Sequence, residues 1–491
     1  LRAYTAKDGS SEAYQPGNIP FQPEAYLKLN RSELAAGDPI ITLGFPGSTY
    51  RLESSYAFKY YEKSQFPFLE KAFQAYLNGL ELAAERNPAI GQQSASERAS
   101  IANTLKYFNG VRKGFEQHQI TKRKTDFDRS FQEWAEADSL RNLRYGRVLS
   151  QLKQSYDIAD QTGDVLYLTF YALQFSKVLQ AATLFEDLEN RQDEERWSAE
   201  QSRERLMLFD SHRQLLSSAV AVAEKAILKD LLHAMAELPF EKRPLVFYRF
   251  FEPEESHELK PEIDAFVERR FSSSVLTDTT AARNLFFNTE NPSETLRKDS
   301  LYVVAADIRE MLEQSRENYI RHFPYLQPAQ ERYVEGITTM SEQKAFQADA
   351  NFTLRLSFGE IMGFSPEDAV YKFPFTSVAG MVEKHRGSQP FNLPDQLLKH
   401  YESETQFHNL PVNFLSTNDI TGGNSGSPAL NKNGELVGVV FDGNIEGIAS
   451  DYYFIPNLTR ALSVDVRFIL FMMEEMDKTE QLLNELEIVA D

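Results

Sequence analysis

A glycine-rich loop near the C-terminal end contains the serine best placed to act as a nucleophile. The stretch TNDITGGNSGSPAL carries Gly422, Gly423, Asn424, Ser425 and Gly426. A serine hydroxyl attacks efficiently when a base takes its proton and N–H groups stabilise the oxyanion that forms. Glycines before the serine permit the turn that directs such N–H groups, here those of Gly423 and Ser425, toward one point. The loop therefore predicts acyl transfer through Ser425, and a glycine-rich β-turn with an incidental serine is the alternative.

The residues after this serine predict a β-hairpin. An apolar strand, an Asn433–Gly434 turn and a second strand, GELVGVV, follow in order, and Asn-Gly is the typical turn of a short hairpin. The nucleophile elbow of α/β-hydrolases does not fit, because that motif needs glycine where Ser427 stands and a helix afterwards. The pattern is similar to the nucleophile loop and hairpin of trypsin-like and heat-shock-type serine peptidases.

A base for this serine is not evident from the sequence. In peptidases of that type the chain order is His, Asp, Ser, but five of the eight histidines lie in a helical segment. The others, His385, His400 and His408, follow on a polar stretch. We therefore expect the triad histidine and aspartate to lie upstream of Leu1 and the chain alone to be inactive. No metal or cofactor is expected, since no His-Glu-x-x-His motif or similar ligand spacing is present.

Composition narrows the class of protein. A chain of 491 residues is too long for one hydrophobic core, so two or more domains are expected. The formal charge of −20 argues against a nucleic-acid partner, because phosphate binding needs clustered Lys and Arg. Cysteines are absent, which excludes disulfides and thiolate chemistry. The sequence also has no apolar run long enough to predict a membrane span, and its first residues do not read as a signal peptide.

The order of elements predicts a helical insertion within a β domain. Residues 26–45 read as short strands, and strand signals return after residue 346. Between them, Glu, Gln, Arg, Leu and Ala dominate and apolar residues recur at helical spacing. Helices are predicted over 66–90, 95–118, 126–161, 164–190, 194–240, 260–271 and 300–319. A last helix is predicted over 464–489.

Several stretches together resemble one family, the bacterial dipeptidyl-peptidases typified by dipeptidyl-peptidases 7 and 11. They are LRAYTAKDGS, GDPIITLGFPGSTYR, SIANTLKYFNG, DANFTLRLSFG, NSGSPALNKNGELVGVVFDGN and SVDVRFIL. The resemblance implies a mixed fold: a chymotrypsin-like double β-barrel, its first barrel incomplete here, with a large inserted α-helical cap. Residues 1–46 would end the first barrel, 47–341 form the cap, and 342–491 form the second barrel and a C-terminal helix.

The resemblance also implies an activity and a setting. It implies a serine exopeptidase that removes dipeptides from the free N-terminus of peptides. The full-length protein would carry a signal peptide, and the enzyme would act as a homodimer in the periplasm or at the surface of a Gram-negative bacterium.

Residue roles follow from the same resemblance. The substrate's α-amino group would be held by Asp442, just after the VGVVF strand, and by Asn103 of the cap, with Asn109 as the alternative. A desolvated ammonium needs such acceptors. Gly443 would leave an open, uncharged pocket and a preference for a hydrophobic second residue, whereas an arginine there would select Asp or Glu. Ile445 departs from the family, which usually has an aromatic residue at that position.

Two other classes of function remain open from the sequence. A non-catalytic peptide-binding pseudo-peptidase would keep the cleft without the chemistry. A helical scaffold protein would explain residues 53–343 but leave the loop around Ser425 unexplained.

Overall fold

A computed structural model describes residues 3–190, 218–251, 259–288, 292–341, 347–388 and 390–490. The chain forms two compact units. The first, called the sheet unit, comprises Leu1–Arg51 and Ala348–Asp491. The second, called the helical unit, is Leu52–Gln347.

The sheet unit is built mainly from antiparallel strands. Its strands are β1 (Tyr4–Thr5), β2 (Ile19–Pro20), β3 (Leu29–Asn30), β4 (Pro39–Gly44), β5 (Arg355–Glu360), β6 (Phe375–Ser377), β7 (Pro411–Ser416), β8 (Pro428–Leu430), β9 (Leu436–Gly443), β10 (Ala461–Asp465) and β11 (Ile488–Val489). The main sheet has the order β5-β4-β8-β9-β10-β7-β6, and β3 pairs in parallel with β9 and β11. A bridge between Ile361 and Ser416 also joins the end of β5 to β7. The two ends of a six-strand run therefore meet.

Alternation along the strands explains which face is buried. On β4, Ile40 and Thr42 are buried while Pro39 is exposed and Ile41 half-buried. The inward residues join one apolar cluster: Ile40, Ile361, Phe414, Ile420, Ala429, Val437, Val440 and Ala461. This is the period-2 pattern of a sheet with one face in the core.

The predicted hairpin is confirmed. β8 and β9 pair antiparallel, and Gly434 takes the positive φ of 77° that the turn needs. The burial of β9 changes along its length: its first part contributes Val437 and Val440 to the core, whereas Phe441, Asp442 and Gly443 are exposed. The strand thus carries the predicted substrate-binding residues out of the core.

The helical unit contains short and long helices. They are α1 (Ser55–Tyr60), α2 (Phe66–Arg86), α3 (Pro88–Gln93), α4 (Ala95–Gln117), α5 (Ile120–Glu136), α6 (Ser139–Tyr145), α7 (Val148–Phe175), α8 (Lys177–Asn190), α9 (Ser218–Ala236), α10 (Leu245–Phe250), α11 (Lys260–Ser273), α12 (Thr279–Asn288), α13 (Pro292–Leu296) and α14 (Ser300–Met340). The two long helices α7 and α14 pack together. Most buried apolar side chains belong to one large cluster.

The prediction of one helix over 126–161 is wrong. The helical conformation is interrupted between α5 and α7. The Asp138 carboxylate accepts the N–H groups of Leu140 and Arg141 and starts the separate helix α6. Leu140 and Leu143, two apolar residues within the predicted helix, are 78% and 86% exposed. The helix predicted over 300–319 is longer in the structure, because α14 runs to Met340. Of the predicted segment 194–240, residues 194–217 lie outside the described residues.

The prediction of one C-terminal helix over 464–489 is also wrong. Residues 461–465 are β10, after which Asp465 caps the short helix α15 of the C-terminal region, Val466–Phe471. The helical path ends before Lys478, whose φ of 50° is incompatible with a right-handed helix. The chain finishes in β11, paired with β3. The Glu and Leu content of residues 464–489 favours a helix, but the pairing of β10 and β11 with distant strands determines the structure at both ends of this region.

Candidate functional site

The nucleophile loop, residues 421–427, connects β7 to β8 and places Ser425 on the surface of the sheet unit. The Ser425 side chain is exposed. Its Oγ has one hydrogen-bond contact among the described residues, a long one of 3.4 Å to the carbonyl oxygen of Phe441. The hydroxyl is therefore available to a substrate and is not tied into the fold.

The N–H groups of residues 423–427 fall into two sets. Those of Asn424, Gly426 and Ser427 donate to the carbonyls of Thr421, Val440 and Asn424, at 3.1, 2.8 and 2.9 Å. Those of Gly423 and Ser425 donate to no acceptor in the described part of the chain. Gly423 and Gly426 have φ of 105° and 88°, which turn the backbone on either side of the serine. The loop thus leaves free the two N–H groups that the sequence predicted for an oxyanion.

The loop is held by close backbone contacts with Phe45–Gly47, the segment after β4. The N–H of Gly47 donates to the carbonyl of Gly422 at 2.6 Å. A Cβ added to Gly423 would lie 2.5 Å from the carbonyl oxygen of Phe45 and 3.0 Å from the nitrogen of Gly47. Glycine at position 423 is thus required both by its conformation and by its surroundings.

The predicted substrate-binding residues follow directly after Phe441. Asp442 is exposed, and one of its carboxylate oxygens accepts the N–H of Gly443 at 2.8 Å. A Cβ added to Gly443 would meet only the carbonyl of Arg460, at 3.9 Å. Ile445 is 54% exposed. The structure thus brings Asp442 and Gly443 to the same surface as Ser425.

A polar framework that sequence reasoning missed supports this surface. Asn444 is buried; its side chain accepts the N–H of Arg460 at 2.7 Å and donates to the carbonyl of Leu458 at 2.8 Å. The guanidinium of Arg460 is buried and donates to four carbonyls, those of Met362, Gly363, Pro456 and Thr459. Burial lowers the pKa of Arg460. No local pattern marks Arg460, because two of its partners, Met362 and Gly363, come from a distant segment.

Lys372, the second cation in this framework, also has a partner within the protein. Lys372 pairs with Glu446 at 2.6 Å, and Asn444 donates to the other carboxylate oxygen at 3.0 Å. Burial by itself would raise the pKa of Glu446, but hydrogen bonds from Lys372 and Asn444 outweigh it and lower that pKa. Lys372 and Arg460, the two cations of this framework, are thus both engaged by partners from the protein.

The remaining predicted residue lies in the other unit. Asn103 is exposed on α4, and its alternative Asn109 is half-buried on the same helix. Their part in substrate binding stays a prediction.

The described histidines of the sheet unit make contacts within the fold. The Nδ1 of His385 accepts the N–H of Leu393 at 3.0 Å, and His408 stacks on Tyr401. His400, predicted on a polar stretch, instead packs against the rings of Phe407 and Phe471. No histidine is a hydrogen-bond partner of Ser425 within the described ranges.

A metal centre and a membrane-spanning helix would each point to another class of protein. In the part of the chain that the structure describes, no group of three or more His, Asp or Glu side chains could hold a metal ion. None of the helices so described is both long and apolar enough to cross a membrane.

Comparison with known proteins defines first a class, that of peptidases, and then a family. The chain belongs to the Peptidase S46 family, whose family model matches residues 1–488. The resemblance inferred from the motifs is confirmed, and with it the predicted enzyme class, a serine-type dipeptidyl-peptidase.

Two curated relatives and one solved structure show the extent of the similarity. The chain is 29% identical to an Asp/Glu-specific dipeptidyl-peptidase of Shewanella putrefaciens, over 100% of this chain and 70% of that protein. It is 27% identical to dipeptidyl-peptidase 7 of Porphyromonas gingivalis, over 100% of this chain and 68% of that protein. A crystal structure of Porphyromonas endodontalis DPP11 in complex with the dipeptide Arg-Glu matches with a TM-score of 0.82 at 21% identity, covering 99% of this chain and 69% of that one. The predicted mixed fold of helices and sheet is thereby confirmed.

Proposed function

We propose that Ser425 is the nucleophile of this dipeptidyl-peptidase and that the N–H groups of Gly423 and Ser425 form its oxyanion hole. The observation that carries the proposal is the division of the N–H groups within residues 423–427: those of Asn424, Gly426 and Ser427 are bonded within the protein, and those of Gly423 and Ser425 are not. An oxyanion hole needs donors that are fixed before the reaction and free to bind the developing charge. The exposed Ser425 hydroxyl lies in the same loop.

Asp442 is proposed to hold the α-amino group of the substrate. Its carboxylate is exposed, and only one of its oxygens accepts a bond in the fold, from the next N–H. A carboxylate offers further acceptor sites for a cationic amine. Asn103 is the candidate for a second acceptor, with Asn109 as the alternative.

We further propose a preference for a hydrophobic second residue. An acidic side chain would need a cation with free donors, and the two cations of the polar framework that follows Gly443 are not of that kind. Lys372 is paired with Glu446, and Arg460 is buried against four carbonyls. The open space at Gly443 and the exposed side chains of Phe441 and Ile445 favour apolar contacts. The relatives carry both names, Asp/Glu-specific dipeptidyl-peptidase and dipeptidyl-peptidase 7.

The finer architecture and setting are proposals as well. We propose a chymotrypsin-like double β-barrel in which residues 1–46 end the first barrel, 47–341 form the cap and 342–491 contribute the second. The bridge between β5 and β7 supports closure of one barrel, and β4 (Pro39–Gly44), from the segment assigned to the first barrel, is one of its strands. A homodimer in the periplasm or at the cell surface is proposed from the family resemblance, and light scattering and cell fractionation test these two points.

The test of the nucleophile is Ser425→Ala in the full-length gene product, assayed with fluorogenic dipeptide substrates. The hydroxyl makes only one long contact in the fold, so the variant should unfold at the same temperature as the wild type. Its turnover should fall by several orders of magnitude, because the residual rate would come from binding and the oxyanion hole alone. Equal turnover by both proteins would refute the assignment and favour the peptide-binding alternative.

A further inference from the structure

Two segments of the sheet unit, residues 49–51 and 349–350, are hydrogen-bonded to each other where the chain leaves this unit and returns to it. Thr49 and Ala350 exchange hydrogen bonds, with the N–H of Thr49 donating to the carbonyl at 3.3 Å and the N–H of Ala350 donating to Oγ1 at 2.9 Å. The carboxylate of Asp349 accepts Thr49 Oγ1 at 2.5 Å and the N–H of Arg51 at 2.9 Å. The backbone of Arg51 is thus held in place independently of the contacts that its side chain makes.

The side chain of Arg51 then joins these segments to Asp419, which lies just before the nucleophile loop. Its guanidinium forms a two-bond contact with the Asp419 carboxylate, at 2.5 and 2.8 Å, and its Nε donates to the carbonyl of Ser450 at 2.7 Å. The side chains of Arg51 and Asp419 are 21% and 29% exposed. Such a bidentate pair fixes orientation as well as distance, and partial burial protects it from screening.

Asp419 is well placed to transmit this constraint. The preceding Asn418 is fully buried, and its Nδ2 donates to the carbonyls of Ile40 and Ser357 at 3.1 and 2.8 Å. The following Ile420 is buried in the core of the sheet unit. The nucleophile loop begins at the next residue, and Gly47 contacts its Gly422. One continuous segment, residues 45–51, therefore contacts the loop at Gly422 and the chain just before it at Asp419.

We propose that Arg51 and Asp419 form a positioning pair that sets the geometry of the loop carrying Ser425. The inference rests on the proposed function of Ser425. Neither residue takes part in the chemistry. A displacement of about 1 Å at a reacting centre can reduce the rate about 100-fold, so a contact that fixes the loop acts on turnover and not on substrate binding.

The test compares Arg51→Lys, Arg51→Met, Asp419→Asn and the double variant Arg51→Met/Asp419→Asn in the full-length gene product. Activity is divided by the folded fraction. For Arg51→Met and Asp419→Asn, kcat should fall about 10- to 100-fold with KM within about twofold. Lysine restores the charge but not the two-bond geometry, so Arg51→Lys should recover part of kcat. The double variant should be no slower than either single one, because the two residues act as a unit.

Arg31→Met is the matched control. Arg31 pairs with Glu474 at 2.6 Å in the same unit, but both side chains are more exposed, at 41% and 36%. Its kcat should equal that of the wild type. If Arg51→Met does not fold, Arg51→Lys and Asp419→Asn decide. A wild-type kcat in the folded variants, a change in KM alone, or additive effects in the double variant would each overturn the positioning role. Activity in Ser425→Ala would instead refute the proposed function itself.

Discussion

Replacing Gly423 with alanine tests the oxyanion hole more directly than any change to a side chain. An alanine there would meet two separate penalties. The φ of 105° lies in the left-handed half of conformational space, where a residue with a Cβ costs about 1–2 kcal/mol. The added Cβ would also lie 2.5 Å from the carbonyl oxygen of Phe45 and 3.0 Å from the nitrogen of Gly47.

These contacts cannot be relieved by rotating a side chain, because both neighbours are backbone atoms. Relief requires the nucleophile loop to move away from Phe45–Gly47, and the N–H of Gly423 moves with it. Loss of one oxyanion donor costs about 2.7–4 kcal/mol of transition-state stabilisation, or about 100- to 1,000-fold in kcat. We expect a loss of that size in Gly423→Ala, with KM changed much less.

Gly434→Ala separates the loss of the donor from simple strain. Gly434 also has a positive φ, 77°, but no atom lies within 4 Å of the Cβ that alanine would add in the β8–β9 turn. Both variants should lose stability in thermal unfolding, and only Gly423→Ala should lose kcat with a fluorogenic dipeptide substrate. If the two variants retained the same kcat, the N–H of Gly423 would not be an oxyanion donor.

Three further outcomes are expected. Asp442→Asn removes a charged hydrogen bond worth about 1.5–3 kcal/mol, so kcat/KM on peptides with a free N-terminus should fall about 10- to 100-fold; an unchanged value would remove Asp442 from the site. Gly443→Arg should lower cleavage after hydrophobic second residues relative to acidic ones, whereas the control Gly443→Ala, which meets no atom closer than 3.9 Å, should keep the wild-type preference. Burial raises the pKa of Glu224 in α9 despite hydrogen bonds from the N–H groups of Lys177 and Val178. The stability that Glu224 contributes is therefore complete below the ordinary Glu pKa of about 4.3, and it declines as the pH rises through the raised pKa. Thermal unfolding of Glu224→Gln should therefore show a higher midpoint than the wild type at neutral pH and no gain near pH 4; an equal gain at both would contradict this.

Local sequence predicted those parts of the fold in which short-range signals decide the conformation. The Asn433–Gly434 turn is one example, because a positive φ at glycine and two flanking apolar strands suffice to make a hairpin. The long helices of the helical unit are another, since apolar periodicity and helix formers agree there. The single helix predicted over 126–161 failed because one carboxylate, that of Asp138, starts a new helix inside an otherwise helical pattern.

The C-terminal prediction failed for a different reason. Residues 461–465 pair with β7 and β9, and residues 488–489 pair with β3 near the start of the chain. Strand pairing of this kind depends on partners far away in the sequence, and a window of Glu and Leu residues carries no information about it. The role of Arg460 was not predicted for the same reason, because two of its four carbonyl partners, Met362 and Gly363, lie far away in the sequence.

The same distinction applies within the nucleophile loop. The motif around Ser425 predicts a tight turn, since its glycines supply the positive φ values on either side of the serine. It does not determine where the turn points. That direction comes from Phe45–Gly47 and Arg51, which are separated from the loop in sequence by the whole helical unit and more. An oxyanion hole requires N–H groups fixed in direction as well as free of partners. The chemistry predicted from the motif therefore depends on contacts that only the folded sheet unit provides, and substitutions in residues 45–51 should affect turnover although none of these residues touches the substrate in the proposed mechanism.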